Sequence, residues 1–143
     1  PPHDGLYYVL MSAGGSKYAI TRTNAPVGLY ATKLHTIGGA ERLYFRLPPR
    51  GGECTVLGEG TSARETIRVD LYNAAGAPVA TAQSTEEEPA APLSFDATGH
   101  AGEVWSLAII KADVGILEDA LITLEAPLPP VLSLIPEHAF GTR

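Results

Sequence analysis

With one cysteine in 143 residues, Cys54, the chain has no partner thiol for an internal disulfide. At this length none is needed, because a domain of about 150 residues buries roughly two-thirds of the surface its unfolded chain exposes. Alternation in the run ECTVLGEG makes Cys54 a small apolar strand residue with an inert thiol. Basic residues are scarce too: ten Lys and Arg stand singly against sixteen Asp and Glu, for a net charge of −6. Neutralising phosphates needs a basic surface, so no nucleic-acid partner is expected. No run approaches the roughly eighteen apolar residues of a membrane-spanning helix, so no membrane partner is expected either. The chain opens on Pro1 and Pro2 with neither a methionine nor a basic segment leading into an apolar one. The expectation is a single module over residues 1–143, cut from a longer protein whose location it shares.

Glycine and proline are abundant, at 15 and 12 residues, and they punctuate short β-rich runs. LYYVLMS and KYAITRT flank AGGS as a first hairpin, and LYATKLHTI follows as a weaker extended segment. RLYFRL, at 42–47, alternates Leu43, Phe45 and Leu47 against Tyr44 and Arg46. CTVLGEG is a strand, and TIRVDLY and PVATAQS form a second hairpin over 66–83 around NAAGA. The acidic TEEEPAAP reads as a solvated loop and LSFDA as a short strand. VWSLAII is a strong strand that places Trp105, Leu107 and Ile109 on one face. VGILEDALITLEA has helical spacing, but Gly115 interrupts that frame and Ile122 and Thr123 are β-branched, so a turn followed by the strand ALITLE is expected. The proline-rich end should pack Val131, Leu132, Leu134 and Ile135 over the rest. Such a series of eight to ten short strands with no long amphipathic helix predicts an all-β, two-sheet antiparallel sandwich of jelly-roll or Greek-key type.

Catalytic constellations are sparse. His3, His35, His100 and His138 fall in expected loops, turns or termini and show no metal-ligand spacing. There is no nucleophile elbow, P-loop or dinucleotide fingerprint, so the chain is read as a non-enzyme with no cofactor. A structural calcium stays open, because Asp4, Glu41, Asp96 and the Glu86–Glu88 run supply the oxygen ligands that hard cations take. Sugar binding needs an exposed aromatic ring and planar polar groups beside it. Tyr44 and Arg46 share the outward face of one strand, and Arg68, Asp70 and Tyr72 share that of another. These five residues are the candidate carbohydrate site.

The order RLYFRLPPRGGECTVLGEG, TIRVDLYNAAGAPVATAQS, GEVWSLAII and LPPVLSLIPE, within residues 42–135, resembles the β-sandwich accessory modules of bacterial multidomain polysaccharide-degrading enzymes. These are similar in turn to bacterial pre-peptidase C-terminal domains. The resemblance is carried by a YFYVP-type strand before a glycine-rich turn, a V-x-D/Y-G hairpin, a late G-x-x-WS strand and a closing PP-x-L-x-x-x-P segment. NAAG departs from the Asp-Pro-Asp-Gly type turn common in those modules, which weakens any calcium carry-over at that corner. The resemblance implies a buried Trp105 and a secreted or cell-surface, glycoside hydrolase-associated module. Its partners would be a polysaccharide or oligosaccharide and a flanking catalytic domain. The alternative is a purely structural protein-interaction domain with no ligand.

Overall fold

The computed structural model describes residues 3, 5, 7–10 and 19–141. The strands are β1 (Leu29–Tyr30), β2 (Leu34–Ile37), β3 (Ala40–Arg46), β4 (Glu53–Gly60), β5 (Arg68–Tyr72), β6 (Pro78–Gln83), β7 (Ala90–Asp96), β8 (Val104–Ile110), β9 (Asp119–Leu124) and β10 (Val131–Leu132). A 3-10 turn at Pro136–His138 follows them. Two four-stranded sheets, ordered β2-β9-β4-β7 and β3-β8-β5-β6, share one core, while β1 pairs with β10. The protein is therefore the all-β sandwich that the sequence predicts.

One pairing rule generates both sheets. β5 pairs with β6, β4 with β7, β3 with β8 and β2 with β9, all antiparallel. The chain thus behaves as one long hairpin with its tip at residues 73–77, rolled around the core so that successive pairs fall in alternate sheets. That arrangement is a jelly roll. The tip is the NAAGA turn: Asn73 Oδ1 accepts hydrogen bonds from the backbone N–H of Ala75 and Ala77, and Gly76 takes the left-handed φ of 77°.

Alternation fills the core from both sheets. Leu43, Phe45, Val69, Leu71, Trp105, Leu107 and Ile109 point inward from one, and Cys54, Val56, Leu93, Phe95, Ala120, Ile122 and Leu124 from the other. Burial, with the Glu53 and Asp96 carboxylates adding to it, pushes the Cys54 thiol up, and the side chain packs in the core as expected. Trp105, only 2% exposed, stacks on Phe95 across the core at 5.5 Å between ring centroids. It is a packing residue, not a platform.

Several expectations need correction. The first hairpin has its turn and part of both arms outside the described residues, and 7–10 and 19–23 carry no strand. β7 begins at Ala90, so the last three residues of TEEEPAAP are strand and only its acidic part is loop; Pro92 is accommodated because β7 is a sheet edge. His35 lies in β2 rather than a loop, with Nε2 3.1 Å from Asp119 Oδ1 on the paired strand. At the C-terminal end Val131 and Leu132 are buried, but Leu134 and Ile135 turn outward, at 68% and 44% exposure. The reason is the intervening Ser133: its backbone pairs both ways with Tyr44 and its hydroxyl donates to the Val27 carbonyl, so the following residues are carried off the sandwich toward Pro136.

β4 carries a buried glycine, Gly58, against the opposite sheet. A Cβ on Gly58 would lie 2.8 Å from Val69 Cγ2 and 3.2 Å from Ile67 Cδ1. Gly58→Val should therefore overpack the core and cost about 1–3 kcal/mol. Urea unfolding should show this as a lower midpoint with an unchanged m-value.

Candidate functional site

The outward face of the β3-β8-β5-β6 sheet is built by the same alternation. It carries Arg42, Tyr44 and Arg46 from β3, Val104, Ser106 and Ala108 from β8, and Arg68, Asp70 and Tyr72 from β5. Register aligns Tyr44, Ser106 and Tyr72 across three strands, with Arg46 opposite Val104 and Asp70 opposite Ala108. β3 and β5 are not direct neighbours, because β8 runs between them. β8 presents small side chains there, so long side chains from the flanking strands meet above it. The Arg42 guanidinium crosses this way and lies 3.4 Å from the centre of the Tyr72 ring. Ser106 and Ala108 are in consequence buried although they face outward.

The five candidate residues share this face but do different work. Arg46 donates through Nη1 to the Gly102 carbonyl at 2.7 Å and through Nε and Nη2 to the Ala139 carbonyl at 3.2 and 3.1 Å. It ties the C-terminal segment to the β7–β8 turn. Arg68 holds Asp70 with Nε–Oδ1 at 2.8 Å and Nη2–Oδ2 at 3.2 Å, and the Thr81 hydroxyl of β6 donates to Oδ1 at 2.6 Å. Burial pushes the Asp70 carboxyl up, but the hydrogen bonds from Thr81 and Arg68 and the charges of Arg68 and Arg42 outweigh it and hold it below its ordinary value. Tyr72 has one ring face covered by Arg42. Tyr44 alone of the five lines an open groove.

That groove, of about 520 Å³, is lined by Arg42, Tyr44, the Asn73–Gly76 tip, Glu103, Val104, Ser106 and Pro136. Arg42, Glu103 and Ser106 therefore belong to the site and were not among the five. Arg42 carried a signal, being two residues from Tyr44 on the same strand face. Glu103 and Pro136 carried none, since only tertiary folding brings them there. Glu103 also closes the opening over the core: its Oε2 accepts from the Trp105 indole N–H at 2.9 Å and lies 3.1 Å from His100 Nδ1. Those two hydrogen bonds, Trp105 first, hold its carboxyl below the ordinary value against burial.

Among the described residues, no group of three or more His, Cys, Asp or Glu side chains is placed to hold a metal ion. Asp96 accepts the backbone N–H of Thr98 at 2.8 Å, and Asp4 lies outside the described residues. Also among these residues, no helix is long and apolar enough to cross a membrane. No family model, curated protein or solved structure matches the chain.

The lowered Asp70 pKa sets a pH dependence. Its contribution to stability is fully present above the ordinary Asp value of about 3.9 and is lost as pH falls through the lower folded value. Asp70→Asn should lower Tm at neutral pH and flatten the acid limb of the Tm–pH curve below about pH 4. Thermal scans of both proteins from acid to neutral pH check this, and parallel curves would show that Asp70 contributes nothing to the pH dependence.

Proposed function

We propose that the chain is a non-catalytic accessory module of a secreted or cell-surface bacterial carbohydrate-active enzyme, binding glycan weakly on the outer face of the β3-β8-β5-β6 sheet. The observation that carries this reading is the open groove in which the Tyr44 ring lies among Arg42, Glu103 and Ser106. An aromatic ring gives the apolar face of a pyranose a surface to stack on, and planar charged groups beside it take hydroxyl hydrogen bonds. Jelly rolls also serve lectin domains, which raises the prior by analogy and does not by itself assign function. A module of this kind needs only modest affinity, because tethering to a catalytic domain raises its effective concentration at a polymeric substrate. The motif order within 42–135 supports the same assignment.

A structural role, docking on a neighbouring domain of the parent chain, is favoured by a different feature. A second groove of about 320 Å³ is lined largely by apolar side chains, among them Ile20, Val27, Leu29, Leu134 and Ile135. Exposed apolar surface rimmed by polar groups is the signature of a protein neighbour.

The deciding experiment is a retention screen of the purified domain on soluble and insoluble polysaccharides, with Tyr44→Ala beside the parent. Retention on a glycan, weakened about tenfold or more by Tyr44→Ala, is the expected result; tenfold corresponds to about 1.4 kcal/mol of lost stacking. Tyr72→Ala should weaken binding less, since its ring is already covered by Arg42. Absence of retention on every glycan tested overturns the binding role in favour of docking.

A further inference from the structure

We infer that the groove takes an anionic sugar residue, with the Arg42 guanidinium as its counter-charge, an inference that rests on the glycan-binding reading above. Three arginines lie on this sheet face, and two are engaged within the protein. Arg46 binds two backbone carbonyls and Arg68 binds Asp70. Arg42 differs. Among the described residues its side chain makes no hydrogen bond and no ion pair, and its Nη1 is shut off from solvent without a partner. Asp70 on the same face feels the Arg42 charge, but its oxygens are already hydrogen-bonded by Arg68 and Thr81.

A buried unpaired donor on a permanent cation is costly, and native structures rarely leave one without reason. Here the guanidinium is held in place by the Tyr72 ring rather than by an acceptor, so its position is set while its hydrogen-bonding capacity is unspent. Because Arg42 also lines the groove, an anion seated there would meet the Nε–Nη2 edge of the guanidinium, which unlike Nη1 is not shut off from solvent and is already oriented. Carboxylates and sulfate esters both match that fork. Glu103 lies in the same groove and repels an anion, so the charged substituent belongs at the Arg42 end and neutral hydroxyls at the Glu103 and Ser106 end. This polarity distinguishes an acidic sugar from a neutral one, which would leave Arg42 unpaired.

The test is titration of the intact chain with an oligogalacturonate, a sulfated galactan oligosaccharide and a neutral cello-oligosaccharide, read by calorimetry and by amide shifts. Arg42→Gln is compared with Lys33→Gln, which makes the same charge change at an exposed loop position outside the groove. Support is binding of either anionic oligosaccharide at least tenfold tighter than the neutral one, with shifts at Asn73–Gly76 and Ser106. The preference should be lost in Arg42→Gln and kept in Lys33→Gln, and the preferred oligosaccharide identifies the anion. Equal binding of neutral and anionic sugars, or a preference that survives Arg42→Gln, overturns the inference while leaving the glycan reading standing. No binding of any oligosaccharide overturns both. Should Arg42→Gln fail to fold, the unmodified chain still decides: a preference that fades with added salt and maps to the groove supports the inference, and shifts elsewhere overturn it.

Discussion

Strand β8 is buried on both of its faces, and the rest of the molecule is arranged around that constraint. Its inward side chains, Trp105, Leu107 and Ile109, are large and form the middle of the core. Its outward side chains, Ser106 and Ala108, are small, and their being buried follows from what the neighbouring strands lay over them. Large residues outward would separate Arg42 from Tyr72 and fill the trough that becomes the groove. The division of size between the two faces of one strand therefore serves packing on one side and leaves the groove open on the other.

The same strand connects the core to the groove through Trp105. An indole ring brings a large apolar surface with one N–H that must find an acceptor once buried. Phe95 meets the ring across the sandwich and Glu103, two residues earlier in the chain, supplies the acceptor. Glu103 is thereby held with one oxygen committed, at the rim of the groove. A residue serving the tryptophan is in this way also a polar wall of the candidate site, so the site's shape is tied to the best-packed part of the protein.

Charge on the outer sheet face is organised by pairing rather than by amount. The net charge of −6 says little about this face, where arginines outnumber carboxylates locally. Arg68 and Asp70 neutralise each other with help from Thr81, and Arg46 is spent on carbonyls that hold the Gly102 turn and the Ala139 segment. These contacts fix the sheet and its surroundings. Arg42 remains as a cation positioned by an aromatic ring, with no acceptor for its Nη1 among the described residues.

The sequence by itself determined the fold class, most strand positions and which residues of each strand face inward, because a period of two and glycine, proline and asparagine turns are local properties. It identified Cys54 and Trp105 as core residues and preferred a strand to a helix over 120–125, one residue off the observed β9, where β-branched residues outweighed a misleading helical spacing. It also put Tyr44, Arg46, Arg68, Asp70 and Tyr72 outward correctly. What it did not contain was the pairing of distant strands, since β3 meets β8 and β4 meets β7 only through long-range closure of the rolled hairpin. That pairing decided that β8 separates the two candidate strands, that Arg46 and Arg68 are satisfied within the protein, and that Glu103 and Pro136 join Tyr44 and Arg42. Outwardness is a property of one strand, but availability depends on what neighbouring strands present, and only the tertiary structure sets that.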